Sequence, residues 1–296
     1  MAALKIPTFT LNTGAKIPAI GLGAWMGTYG AQERAEAMVA KALKVPPSGS
    51  EAAVGRAIRA SGIPRSEIFV TTKLLSQDHA SVQEAFDKSL KELNVEYIDL
   101  YLVHWPQAEV NGKIVQPDEY PTIVDTWKQM ENLLPTGKCK AIGVSNFDIK
   151  KIQRLIDECS VVPAANQIEL HPCLPQTDLV AYCRSKGVLV TAYSSLEFRA
   201  IAAKHDATVA QVLLSWAVAK GINVIPKSES EERLRSNATI IELDAEDTAF
   251  VDNYHKGPGL HRSLLTYHST GEFVGVVGYT YEQLGWDMVE GGFVRQ

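Results

Sequence analysis

The 296-residue chain has no long apolar run. Its apolar runs, such as 188–190 within the strand-like VLVTAYS, are of strand length, whereas a membrane helix needs about 20 consecutive apolar residues. It has no polybasic segment, and a net charge of −5 with interspersed signs gives no electrostatic footprint for nucleic acid or a membrane surface. The opening MAALKIPTFTLNTG has no apolar core of leader length, so a cytoplasmic protein is expected. There is no CxxC. Cys139, Cys159, Cys173 and Cys183 are widely spaced, as reduced thiols are, rather than paired as in a zinc site or disulfide framework. Neither the seven histidines nor the acidic residues form a pattern such as HExxH, so no metal is expected. Nor is there a GxGxxG turn. The segment GLGAWMGTYG is glycine-rich, but its spacing differs and a tryptophan sits in the turn, which argues against an open doubly wound dinucleotide fold.

What is present is a rhythm. A hairpin turning at Asn12-Thr13-Gly14 opens the chain, since Asn and Gly tolerate positive φ. Short β-rich runs then begin at Ile17, Ile68, Tyr97, Ala141, Ala164, Val188 and Ile222. Helical patterns follow them; SVQEAFDKSLKELN, for example, places Val82, Phe86, Leu90 and Leu93 on one face. Such alternation predicts an α/β fold of parallel βαβ units, a (β/α)8 TIM-type barrel in one domain over 1–296. Seven strands are visible where eight are needed. The gap falls at KALKVPPSGSEAAVGRAI, where two helical patterns are joined by Val45 to Ser50 with no strand between them. Residues 257–296 have weak periodicity and read as a long loop with a short segment around TYEQLGW, suited to a substrate lid.

In a barrel of this kind chemistry sits at the carboxyl ends of the strands. There the sequence places Lys73, then His104 and Trp105, then Ser145 and Asn146, then Gln167, Glu169 and His171, then Tyr193 and Ser194, then Lys227 and Ser228. Each has a plain structural use: a solvated lysine, a packed histidine, an N-cap from Ser145 or Asn146, a core tyrosine, a turn capped by Glu169 and His171. Six successive strands delivering polar or aromatic groups to one face is more than a structural barrel requires. Lys227, Ser228 and Arg233, with free N–H groups at a helix start, form a candidate anion site, although Arg233 could instead pair with Glu229.

These residues resemble the aldo-keto reductases. The likeness runs from about Phe9 onward through IPAIGLGAW, VGRAI, VTTKL, YIDLYLVHWP, GKCKAIGVSNF, NQIELHP, AYSSL, QVLLSWA and VIPKS, and the tail segments RSLLTYHS and YTYEQLGWDMV look like fungal members. The resemblance implies an NADP(H)-dependent barrel that reduces aldehydes and ketones to alcohols, working as a monomer on small molecules. By the same resemblance Lys73 and His104 are catalytic. Ser145, Asn146 and Gln167 bind the nicotinamide carboxamide, and Tyr193 stacks on its ring. Ser194 and Leu196 line the pyrophosphate path, while Lys227, Ser228 and Arg233 hold the 2′-phosphate and Asn237 the adenine. Trp25 and Trp105 wall the substrate pocket. Ser236 stands where the family often has Glu, and Ala24 where it often has Thr.

One departure bears on chemistry. The family's catalytic aspartate and tyrosine lie on and just after the second strand, before the segment that matches SEAAVGRAI. Val45 to Ser50 stand there instead and contain neither residue. His104, or Tyr29 swung in from the loop after the first strand, remains as a proton source. The stretch SSLEFRAIAAKH is also short of the loop that usually covers the pyrophosphate. The alternative implied is an impaired NADP(H)-binding barrel acting as a sensor or subunit.

Overall fold

A computed structural model describes residues 6–24, 38, 51–193, 198–266, 268–271 and 273–295. Val45 to Ser50, Trp25, Tyr29, Ser194 and Leu196 therefore lie outside the described residues, as does the helix expected over 31–43 except for Met38, which is helical and buried.

β1 (Thr8–Thr10) and β2 (Lys16–Pro18) form the opening antiparallel hairpin, with Gly14 at φ 84° in its turn. The run expected as one strand from Ile17 divides: Lys16–Pro18 serves the hairpin, and Ile20 then bridges Val224 in parallel. Pro18 lacks a backbone donor, which suits the end of the hairpin strand.

The main sheet is parallel, in the order β10-β9-β8-β7-β4-β3. Its strands are β3 (Thr71–Leu74), β4 (Leu100–Val103), β7 (Ile142–Ser145), β8 (Ala165–Glu169), β9 (Leu189–Tyr193) and β10 (Asn223–Val224). The Ile20 bridge continues the arc beyond β10. Among the described residues β3 has a paired neighbour on one side only, and the ring is not closed.

Helices cover the outside: α1 (Glu51–Ala60), α2 (Val82–Leu93), α3 (Ile123–Glu131), α4 (Ile149–Glu158), α5 (Thr177–Ser185), α6 (Arg199–Lys204), α7 (Val209–Ala219), α8 (Glu231–Asn237) and α9 (Ala245–Asn253). Their starts follow local chemistry. Thr122 with Asp125, and Thr208 with Gln211, make capping boxes. Asp148, rather than Ser145 or Asn146, caps α4 by accepting from the Lys151 N–H, which leaves the two earlier residues for the site. α6 was not expected from the sequence.

The period-2 alternation of strands sorts side chains to two sides. Tyr101, Val103, Ile142, Val144, Ile168, Val190 and Ala192 face the helices in the large outer core. Leu100, Leu102, Ala141 and Ala165 face inward with Leu11 and Ile17 of the hairpin, which plugs the amino end. Two close approaches need glycine. A Cβ on Gly143 would lie 2.7 Å from both the Ala165 carbonyl oxygen and Leu102 Cδ2, and one on Gly55 only 1.7 Å from the Leu93 carbonyl oxygen, where α1 crosses α2.

The tail holds more structure than expected. β11 (His268–Ser269), β12 (Gly275–Val276) and β13 (Tyr279–Thr280) form a small antiparallel sheet, followed by α10 (Tyr281–Leu284) and the pair β14 (Met288–Val289) and β15 (Phe293–Val294). Another hairpin, β5 (Glu109–Val110) with β6 (Lys113–Ile114), turns at Asn111-Gly112, both at positive φ. Val276, Tyr279, Tyr281, Leu284 and Met288 pack with Trp105 and Leu174 in a separate apolar cluster.

Candidate active site

Continuing the alternation upward puts Lys73, His104, Ser145, Gln167 and Tyr193 on the interior side at the carboxyl ends of five neighbouring strands. Thr72 points the other way, donating to Glu51 Oε1 of α1 at 2.5 Å.

The β7–β9 side is a closed hydrogen-bond network. Ser145 Oγ donates to the Gln167 carbonyl at 2.8 Å. Asn146 has φ 66°, a left-handed conformation that Asn tolerates better than most residues. Its Nδ2 donates to the His104 carbonyl at 2.9 Å and to Ser145 Oγ at 3.2 Å, and its Oδ1 accepts from the Tyr193 hydroxyl at 2.8 Å. One buried side chain thus ties the ends of β4, β7 and β9. Gln167 is buried on this face, and its side-chain amide has no protein partner among the described residues. A primary carboxamide is its natural complement, so this corner fits the amide of a nicotinamide, with the fixed Tyr193 ring beside it.

The β3–β4 side is different. Lys73 is partly buried and meets no carboxylate among the described residues. Burial lowers its ammonium to about 8. His104 is pushed down to about 3, first by burial and then by electrostatic interaction with Lys73 and His79, so it is a neutral imidazole at physiological pH. His79 was not singled out from sequence. It is buried, neither ring nitrogen has a partner among the described residues, and burial lowers it to about 4. The available signal was its place in the turn that follows the β3 strand end.

Glu169 and His171 are not mere turn caps. Glu169 accepts from His171 Nε2 at 2.9 Å, the Leu264 N–H at 2.6 Å and Ser263 Oγ at 2.6 Å. Ser263 Oγ lies 2.7 Å from His268 Nε2, and His268 Nδ1 2.7 Å from the Tyr281 hydroxyl. Because the serine proton goes to Glu169, His268 Nε2–H donates to serine and Nδ1 accepts from tyrosine. This chain anchors the tail above the strand ends, where Trp105 is buried under it with Trp286 at 6.2 Å between ring centroids. Gln107 adds a second anchor, donating to the Val276 carbonyl at 3.0 Å.

At the far end of the sheet Ser228 is buried, and its Oγ accepts from the Ser230 N–H at 3.3 Å. Lys227, rather than Arg233, is the cation paired with Glu229, at 3.1 Å. Arg233 and Lys227 are exposed, and Asn237 is buried at the end of α8. These four lie around one strand end and the helix after it. Elsewhere His205, Asp244 and Asp247 converge, but Lys204 Nζ donates to both carboxylates, at 2.6 and 3.0 Å.

A profile of the Aldo/keto reductase family matches residues 19–198 and 196–256. The chain belongs to that family. An aldehyde reductase of Saccharomyces cerevisiae is 39% identical over 292 residues, covering 86% of this chain and 93% of the relative. Glycerol 2-dehydrogenase (NADP(+)) of the same yeast is 38% identical, over 86% of this chain and 92% of its own. An aldo-keto reductase of the silkworm, Bombyx mori, solved in complex with NADP, superposes with a TM-score of 0.77 at 31% identity, over 85% of this chain and 94% of that one. The fold is the family's (β/α)8 barrel, of which the described residues show the six-stranded arc and its bridge. The first alignment takes in about 255 residues of this chain, 86% of 296, against 292 aligned positions, so the relative has stretches with no counterpart here.

Proposed function

We propose that the chain is an NADP(H)-dependent reductase of small aldehydes and ketones, acting as a monomer in the cytoplasm. The observation that carries this is the convergence of Lys73, His104, Asn146, Gln167 and Tyr193 at adjacent strand ends. When bound, the dinucleotide supplies the hydride. The chain's residues do the rest. The Gln167 amide, with Ser145 and Asn146, holds the carboxamide, and Tyr193 stacks on the ring. Ser194 and Leu196 border the pyrophosphate, while Lys227, Ser228 and Arg233 bind the 2′-phosphate and Asn237 the adenine. His104, held neutral, donates an N–H to orient the carbonyl oxygen. Trp105 and Trp25 wall the substrate site, and residues 257–296 close over it within one domain spanning 1–296.

A second reading, a cofactor-binding barrel with little turnover, is favoured by the absence of Asp and Tyr from Val45 to Ser50. Measuring NADPH binding by fluorescence alongside NADPH-dependent reduction of an aromatic aldehyde separates the two. Binding with turnover is expected. Binding alone supports the second reading, and no binding defeats both.

A further inference from the structure

We propose that Lys73 is itself the proton donor of the reaction, its ammonium giving a proton directly to the substrate's carbonyl oxygen. This rests on the reductase reading above. Lys73 stands on the interior face at the carboxyl end of β3, and its strand partner is Leu102. His104, two residues further along β4, is therefore the next interior residue on the adjacent strand. Lys73 Nζ has no hydrogen-bond or ion-pair partner among the described residues, and Val45 to Ser50 contain no carboxylate or phenol. Among the described residues its proton is thus not committed to a neighbouring acid.

Among the described residues, the titratable groups at the neighbouring strand ends are His104 after β4, His79 in the turn after β3, and Tyr193 at the end of β9. Glu51 of α1 lies on the other side of β3, bound to Thr72. Both histidines are neutral at physiological pH and orient by N–H rather than release a proton. The Tyr193 hydroxyl donates to Asn146. Lys73 is left as the acid, and burial brings it to about 8, close to the working pH at which a general acid is most effective.

The step balances. As the carbonyl carbon accepts a hydride, which carries both electrons, from the reduced nicotinamide cofactor, the C=O π bond opens. The oxygen takes the proton from Nζ, an O–H bond forming as an N–H bond breaks. The product is an alcohol and the lysine is left as a neutral amine, which regains its proton from water. In alcohol oxidation the same amine is the base.

The first test needs no turnover. The cofactor-free protein is trace-acylated across pH and the rate at Lys73 is read by mass spectrometry. A rate rising through about pH 8 is expected; one rising only near 10.5 overturns the proposal. Next, Lys73→Arg keeps the cation but not a releasable proton, and Lys73→Met removes both. Each is expected to quench on NADPH binding as wild type does and to lose at least about 100-fold in aldehyde reduction. Wild-type reduction should be flat below pH 8 and fall about tenfold per pH unit above it. Wild-type turnover in Lys73→Arg overturns the proposal. So does a comparable loss in Tyr29→Phe, which would move the donor to that phenol. Failure of wild type to bind NADPH overturns the reductase reading and the donor assignment together, whereas binding with a Lys73 value near 10.5 overturns the donor assignment alone.

Discussion

The two halves of the candidate site are built differently. On the β7–β9 side, Ser145, Asn146 and Tyr193 bond one another, and the Gln167 side-chain amide, without a protein partner among the described residues, faces the position where a carboxamide fits. On the β3–β4 side, Lys73, His79 and His104 stand close together without partners for their side-chain nitrogens among the described residues. The first half is preorganised by its own hydrogen bonds. The second is a set of basic groups whose state is set by burial. The difference follows the sequence: the unpartnered half borders β3, the edge of the described sheet, and Val45 to Ser50, which precede it in the chain, hold neither Asp nor Tyr.

Restoring a segment with the family's aspartate and tyrosine between Lys44 and Glu51 breaks the comparison most directly. It should raise aldehyde reduction on the order of 10²–10⁴-fold, read as kcat/KM, and lift the Lys73 value measured by acylation, since a carboxylate favours the ammonium. On the preorganised side, Asn146→Ala should cost about 3 kcal/mol in urea unfolding: it strips partners from three buried or half-buried groups and puts a Cβ residue without local compensation at φ 66°. Asn146→Gly, which relieves the backbone alone, should recover about 1 kcal/mol of that.

The basic side should show itself in acid. His79 and His104 have folded values of about 4 and about 3, below 6.5. Their contribution to stability is complete above pH 6.5. It is lost as pH falls toward those values, because the unfolded chain takes up protons that the folded one refuses. Each group adds a slope of up to about 1.4 kcal/mol per pH unit. Unfolding free energies at pH 7 and 5 should differ less in His79→Asn than in wild type. The smallest effect belongs away from both halves. Arg154→Ala, which breaks an exposed pair with Glu158 at 3.0 Å, should change stability by no more than about 0.5 kcal/mol.

Much of the preorganised half was legible in the chain. Strand alternation and the strand-end residues name Ser145, Gln167 and Tyr193, since period 2 is a local property. What sequence could not supply was partnership across distance. Nothing in NQIEL or RSLLTYH says that Ser263 will donate to Glu169, 94 residues away. Nor does GVSNF say that Asn146 will turn left-handed to bridge three strands. The tail was read as loop because its strands are two residues long, too short for periodicity to register. His79 was missed because a lone histidine after a strand has no pattern. Its meaning comes from burial without a partner.

The four cysteines have a consequence for a protein that would meet reactive carbonyls. None is in a disulfide, and burial pushes Cys139 up to about 12 and Cys159 and Cys183 to about 11, with Cys173 also raised. At neutral pH these thiols are almost wholly protonated, and the thiolate is the form that attacks electrophiles. An aldehyde or unsaturated ketone entering the barrel would find the chain's sulfur chemically silent, so repeated exposure to such compounds should leave the cysteines unmodified.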